Sequence, residues 1–476
     1  MRILLIISFV LVGYIGSAQQ FFNNTYDWGA AETGIGCEMI DDTLYTLGWT
    51  TDLVNRDIVV SKFDTNGNKI VDFIISDSIQ LYAGKLGFYY DGYEHLIGYG
   101  SVIVKDTARA YAFKMKKNGQ LVWSKYFQFN SLQMQLVGGC MGNDSNYVFC
   151  GYKYSPAQNW DYFYMKTDTS GNVLNSSSSG GLNNDLAYSI SPGLDSGYIL
   201  SGFNSSIEAN GNLHLVKVDE SGGLDWERDY GTVSGAESGS ITVGKSWYWC
   251  YGGWTTVAGF TGQISKLNSS GFIVDQIIFD QVDIEQGNLH AGYELEDGSF
   301  IAVGSVKSPL LSDPQGWIVK VDSSCAEIWQ RRPDKRLNDH YIYDFEELGD
   351  KSLLCIGVVF PDAGLSQDMW MFRTDSFGCI DLGCNGVGLI EEQIGNVIEA
   401  YPNPTYGYST IEYQSSIKIE KLIVTDIVGN VVKSVNLNSK EGRASLDLSN
   451  QNSGIYFCSL VSEFRKLASV KLILVH

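Results

Sequence analysis

Leu213-His214-Leu215-Val216-Lys217-Val218-Asp219-Glu220-Ser221-Gly222 reads as an apolar strand, a basic residue, an Asp two places on and a glycine turn. The chain writes this phrase seven times, usually with the Asp and usually with the glycine, and has Lys62, Lys114, Lys166, Lys217, Lys266, Lys320 and Arg373 at the basic position. Successive spacings are 52, 52, 51, 49, 54 and 53 residues. A period of that length marks a propeller or another repeat array.

Outward from Lys217 the rest of the unit appears. Ala187-Tyr188-Ser189-Ile190-Ser191 alternates as a strand does, and Asp195-Ser196-Gly197 turns. Tyr198-Ile199-Leu200-Ser201-Gly202 is a second strand, and a polar loop from Asn204 to Gly211 leads to the quoted third. Leu224-Asp225-Trp226-Glu227-Arg228 is the fourth. Third strands such as Ile58-Val59-Val60 and Trp317-Ile318-Val319 are apolar on both parities, so each is covered on both faces. Blades standing side by side produce that pattern. Trp123, Trp226 and Trp329, each 103 residues from the next, are expected to pack between blades.

The fold class expected is all-β: a seven-bladed β-propeller closed by an N-terminal strand, plus a C-terminal β-sandwich of Ig-like kind. The segment from Phe21 to Gly29 is similar to the fourth strand of the fourth repeat, Glu227-Arg228-Asp229-Tyr230-Gly231. Residues 20–30 are therefore expected to complete the last blade, which removes the exposed edges of an open array.

Met1-Arg2, the apolar run Ile3 to Ile15 and Gly16-Ser17-Ala18 read as a signal peptide over 1–18. The run is too short to span a membrane, and no transmembrane segment is expected elsewhere. The domain reading is 1–18 signal peptide, 19–385 propeller, 386–399 linker and 400–476 C-terminal module. Residues 400–476 carry eight basic and six acidic residues, a net of +2. The remainder then holds 25 basic against 48 acidic residues, a net of −23, which disfavours nucleic acid as a partner. All nine Cys fall in the exported part, where disulfides are permitted. Cys150, Cys250 and Cys355 read as core thiols, and Cys379 with Cys384 as the best candidate pair.

The repeat body resembles secreted bacterial propellers built from Gly-Tyr-Ile-Leu-x-Gly … Lys-x-Asp-x-x-Gly-x-x-x-Trp units. That likeness implies architecture and leaves activity open. The tail opens Tyr401-Pro402-Asn403-Pro404-Thr405, with Gly407 following. Asp426, Gly429, Gly454, Tyr456 and Lys471 then mark its turns and strands. In order and spacing this set resembles the C-terminal sorting domain of the type IX secretion system, the Por secretion tail. The resemblance implies Sec export to the periplasm, the type IX secretion machinery as a partner, and delivery to the outer-membrane surface or the medium. Tyr406 stands where that family usually has a small polar residue.

Chemistry is sparse. His95, His214, His290, His340 and His476 form no metal-spaced pair, so neither a metal nor a cofactor is expected. Asp64-Thr65-Asn66-Gly67-Asn68 is short of a calcium loop and reads as an Asp-started turn. The loop face offers Trp49, Trp160 and Trp254, with acids before the innermost strands at Glu32, Asp185, Glu237 and Asp339. These are the ligand-binding candidates, although turn capping is the plainer role for the acids. No catalytic residue stands out. The function expected is a binding or adhesion module for an extracellular glycan or protein. The alternative is a glycoside hydrolase or lyase using acids at the channel mouth.

Overall fold

The computed structural model describes residues 21–27, 31–51, 56–75, 80–81, 86–104, 107–129, 133–155, 159–206, 211–231, 238–256, 259–281, 283–309, 313–333, 339–360, 367–380, 397–427, 430–462 and 465–475. The expected signal peptide lies outside them. The chain divides into two compact units, 1–385 and 386–476.

The first unit is a ring of seven antiparallel sheets. Blade 1 spans 31–75, blade 2 80–127, blade 3 134–179, blade 4 185–230, blade 5 238–278, blade 6 286–331, and blade 7 340–373 together with Phe22–Tyr26. The innermost strand of every blade contacts that of the next, and blade 7 contacts blade 1, so the ring is closed. As expected, the N-terminal strand supplies the outer strand of the last blade: Phe22 pairs with Arg373 and Tyr26 with Met369. The Trp370 indole N–H donates to Asn23 Oδ1 at 2.8 Å, fixing that register.

Each residue of the repeated phrase has a physical task. The Asp starts the turn by accepting two backbone N–H groups at once. Asp219 Oδ1 takes those of Ser221 and Gly223, both at 2.8 Å, and Asp168 and Asp322 do the same in their blades. Hydrogen bonds favour the ionised form and lower the carboxyl pKa at all three, led by the Ser221 hydroxyl at Asp219, the Ser324 hydroxyl at Asp322 and the Asn172 N–H at Asp168. The glycine supplies positive φ, +83° at Gly222.

At Lys114, Lys166, Lys266 and Arg373 the basic residue reaches the turn of the next blade and clamps the two together. Lys166 is 3% exposed; its ammonium meets Asp144 at 2.9 Å in its own blade and reaches Glu220 in the next, carboxylate at 3.0 Å and carbonyl at 3.2 Å. Arg373 repeats this across the closing seam, with Asp350 at 2.6 Å and the blade 1 carbonyl of Thr65 at 3.1 Å. In blades 2, 4 and 6 the tryptophan of the outer strand lies on the next blade's turn glycine. A Cβ on Gly171 would meet Trp123 at 3.1 Å, one on Gly271 would meet Trp226 at 2.5 Å, and one on Gly378 would meet Trp329 at 2.8 Å. The three tryptophans therefore pack between blades, as their spacing predicts.

Third strands are buried on both faces; Asn212–Val218 is covered along its whole length. Cys150, Cys250 and Cys355 are fully buried free thiols. Cys379 is disulfide-bonded, and its expected partner Cys384 lies outside the described residues.

The second unit is one five-stranded sheet whose longest strands are Tyr408–Thr425 and Val431–Asp447. Its inward residues alternate with outward ones: Ala444, Leu446 and Leu448, then Tyr456, Cys458 and Leu460. One covered face and one wet face give that pattern, in contrast with the blades. A register shift between Gln414 and Leu422 keeps Ile411, Tyr413, Ile419, Leu422 and Val424 in one core despite their mixed parity.

Candidate functional site at the axis of the ring

A β-bulge sits in the innermost strand of five blades, where the pairing register slips at Ile35, Val137, Tyr188, His290 and Tyr343. A bulge re-aims the side chains around it. The residue after the bulge is small in four blades: Gly36, Gly138, Ser189 and Ala291. In blade 7 it is Asp344. Three residues after the bulge stand Glu38, Cys140, Ser191, Tyr293 and Glu346.

These positions stitch adjacent blades together. The Val243 N–H donates to Ser191 Oγ at 3.0 Å, and the Glu347 N–H to the Tyr293 hydroxyl at 2.6 Å. At the seam between blades 7 and 1 the acceptors are carboxylates. Cys37 N–H donates to Asp344 Oδ2 at 2.9 Å, and Met39 N–H to Glu346 Oε1 at 3.0 Å. Glu38 lies within the field of both acids. Burial pushes Asp344 up to about 6. Burial and then Asp344 push Glu346 up to about 7. Burial, then Glu346 and Asp344, push Glu38 up to about 8. Three carboxyls are thus gathered where the ring closes, each holding its proton unusually well. Among the described residues no group of three His, Cys, Asp or Glu side chains is arranged to hold a metal ion.

Toward the loop end of the same blade 7 strand the wall is aromatic. Tyr341 and Tyr343 present rings 6.4 Å apart with planes 9° from parallel. His290 of blade 6 stacks on Tyr343 at 5.2 Å, and its Nδ1 lies 2.9 Å from the Ile342 carbonyl. Phe360 meets Tyr341 edge-on at 6.1 Å. The Tyr341 hydroxyl lies 3.5 Å from Asp339 Oδ2, and burial followed by the Asp339 charge pushes that phenol up to about 12.

The sequence-predicted residues share an end of their sheets without forming one pocket. Trp49, paired with Thr33, packs half-buried against the core between blades 1 and 2. Trp254 does the same between blades 4 and 5. Trp160 is held edge-on by Tyr152 and Tyr154, at 5.1 and 5.4 Å. Asp185 is a loop clamp: it accepts the N–H groups of Gly181, Ser205 and Ser206 and the Ser206 hydroxyl, at 2.6 to 3.3 Å. With four donors on two oxygens its accepting capacity is used within the fold. Glu32 is placed on the innermost strand of blade 1 opposite Thr50. Glu237 lies outside the described residues. Asp339 adjoins the aromatic wall at the axis through the Tyr341 hydroxyl. Sequence reasoning missed Glu38, Asp344, Glu346, Tyr341, Tyr343 and His290. The signal that would have found them is Asp344, a charged residue where four equivalent positions are small or apolar.

In the C-terminal unit the motif residues hold the two ends of the domain together. Asn403 Nδ2 donates to the Lys471 carbonyl at 2.6 Å, and the Ile473 N–H donates back to Asn403 Oδ1 at 2.9 Å. Thr405, just after Pro404, continues this pairing with Leu474. Pro402 offers its carbonyl to the Ser409 hydroxyl at 3.2 Å. Gly407, at φ +123°, accepts the Leu448 N–H through its carbonyl at 2.7 Å. Asp426 accepts the Asn430 N–H at 2.9 Å, and the Tyr456 hydroxyl, two residues past Gly454, donates to the Asn452 carbonyl at 2.7 Å. Gly429 lies outside the described residues, and Tyr406 is 80% exposed.

Among the described residues no helix is long and apolar enough to cross a membrane. No curated protein matches the chain. Among solved structures it is similar to Sqt1 of Chaetomium thermophilum, at 14% identity and a TM-score of 0.42, covering 80% of this chain and 93% of that one. It is also similar to the polysaccharide lyase Uly1, at 9% identity and a TM-score of 0.45, covering 77% and 94%. A third is PorZ, a surface component of the type-IX secretion system of Porphyromonas gingivalis, at 12% identity and a TM-score of 0.29, covering 92% and 59%. Residues 399–475 match the family model of the secretion system C-terminal sorting domain, so this seven-bladed propeller carries a type IX sorting tail that sends it to the cell surface or the medium.

Proposed function

We propose that the protein is an exported binding module: the tail delivers the propeller, and the propeller engages an extracellular glycan or protein at its axial mouth. The observation that carries this reading is the half-open aromatic wall of Tyr341, Tyr343, His290 and Phe360 beside Asp339. Aromatic faces left uncovered beside hydrogen-bonding groups are what recognition sites are made of. By contrast, Trp370 and Phe372 in the same blade are wholly buried and serve the core.

A second reading, an extracellular glycoside hydrolase or lyase, draws support from Asp368, whose carboxyl is raised by burial and by the nearby charge of Asp27. Paired carboxyls are what such chemistry uses. Glycan and protein arrays probed with the full chain, followed by product analysis of any bound glycan, test both. Binding without product formation supports the module. Chain cleavage abolished by Asp368→Asn would establish the enzyme instead.

A further inference from the structure

The outer strand of blade 3, Val173–Ser179, is the open edge of its sheet. Every second residue along such an edge turns an N–H and a C=O outward with no strand to pair with. Its sequence, Val-Leu-Asn-Ser-Ser-Ser-Ser, carries no charge, and none follows before Asp185. Five of its seven residues are exposed, among them Val173 and Leu174. The charges beside its start, Lys125 donating to Asn172 Oδ1 at 2.9 Å and Asp168 in the turn, are opposite in sign. Beyond its end Asp161 and Asp185 are both buried. The Ser177 hydroxyl donates to the blade 4 carbonyl of Gly222 at 2.9 Å, a contact made from the strand's face and not from its edge.

Outer strands elsewhere in the ring are guarded. Lys69 and Asp72 stand on that of blade 1, Lys125 on blade 2, Asp275 on blade 5 and Glu327 on blade 6, and four charges lie between Asp225 and Asp229 on blade 4. In blade 7 Phe22–Tyr26 is uncharged, but it is five residues long, mostly half-buried and followed by Asp27. Charges keep an edge from pairing, above all with its own copy, because a two-fold axis sets each charge near a like one. Blade 3 lacks that guard, and its strand is nearly its own complement. About a two-fold through Ser177, Ser176 faces Ser178, Asn175 faces Ser179 and Leu174 faces Gly180, so hydroxyls and amides meet and no like charges do. The net −23 of the residues before 400 opposes contact between two copies elsewhere, which leaves this long uncharged edge as the place where they can meet.

We propose that two copies of this chain pair antiparallel along Val173–Ser179, joining their blade 3 sheets across a two-fold axis at Ser177.

The test is sedimentation equilibrium of the full chain from about 0.1 to 100 µM. A seven-residue edge is small beside a standard interface, so the dimer should form with a Kd of about 10 µM and tighten in high salt, which screens the acidic bodies. Ser176→Lys with Ser178→Lys sets lysine against lysine across the axis and should weaken the dimer by about tenfold or more. Ser176→Glu with Ser178→Glu should do the same, and an equimolar mixture of the two variants should dimerise again. Lysines placed instead at the exposed Ile70 and Ile74, on the edge of blade 1, should leave the dimer intact. Should a doubly substituted chain fail to fold, hydrogen exchange of the parent decides: amides between Asn175 and Ser179 should slow as concentration rises. A chain that stays monomeric throughout overturns the proposal, as does a dimer that both charged variants keep, or a mixture that stays monomeric. Exchange at these amides that ignores concentration overturns it as well. Slowing only in the presence of a different protein overturns it in favour of a foreign strand.

Discussion

Asp344 and Cys37 stand on the innermost strands of the last and first blades and are joined by one hydrogen bond, Cys37 N–H to Asp344 Oδ2 at 2.9 Å. With Glu346 and Met39 beside them, carboxylates occupy the seam that closes the ring, where blades 4 and 6 use a serine and a tyrosine. Because Asp344, Glu346 and Glu38 all hold protons more tightly when folded, the folded ring binds more protons than the unfolded chain between about pH 4 and pH 8. Their stabilising contribution is complete below the ordinary carboxyl range and is lost as pH rises through about 6, 7 and 8. The melting temperature of the propeller should fall by about 2–5 °C from pH 5 to pH 8, a size that allows for partial solvent screening. Glu346→Gln should flatten that slope. A melting temperature that climbs steadily across the window would sink the assignment.

The seam is also sewn from outside. Deleting residues 19–27 leaves Asp368–Arg373 as an unpaired edge and strips Trp370 of its Asn23 partner. The shortened chain should lose its single cooperative melt and associate into larger species, read by light scattering. A monomer that melts like the parent would show that the ring does not depend on this strand. The milder Asn23→Ala should cost about 1 kcal/mol, the scale of one hydrogen bond.

Inter-blade clamping by the repeated basic residue is unequal, which makes it testable. Lys166 is buried against two carboxylates and a carbonyl, whereas Lys62 lies 4.9 Å over the Tyr45 ring. Lys166→Ala should destabilise the propeller by about 1–3 kcal/mol, less than a fully buried pair because Asp144 and Glu220 remain partly solvated. Lys62→Ala should cost under about 1 kcal/mol. Chemical denaturation of both variants checks the ranking, and equal losses would refute it.

The ring was readable in the chain because the residues of the phrase do the same jobs in most copies. Lys166 clamps, Asp219 caps and Gly222 turns, so the period survives in spite of variable loops. The N-terminal closure was readable for the same reason, since that strand repeats the pattern of strand four. The axis was not. Its side chains are aimed by bulges at Tyr188, His290 and Tyr343, and a one-residue slip inverts the facing that alternation assigns. Trp49 and Trp254 misled for a related reason: they stand near strand ends, yet cores between blades extend far enough to cover them.

In the tail, Asn403 connects the first strand region to the last through two hydrogen bonds, one given and one received. An aspartate there keeps the acceptor and loses the donor; an alanine loses both and leaves the Lys471 carbonyl and Ile473 N–H without those partners. Asn403→Ala should therefore destabilise the C-terminal unit by about 1–3 kcal/mol, and Asn403→Asp by less. If the machinery reads a folded tail, the alanine variant should accumulate in the periplasm, measured by fractionation and blotting, with the aspartate variant between it and the parent. Tyr406→Ser, on a side chain that is 80% exposed, should be exported normally. Full export of Asn403→Ala with a demonstrably unfolded tail would mean that recognition reads sequence and not shape.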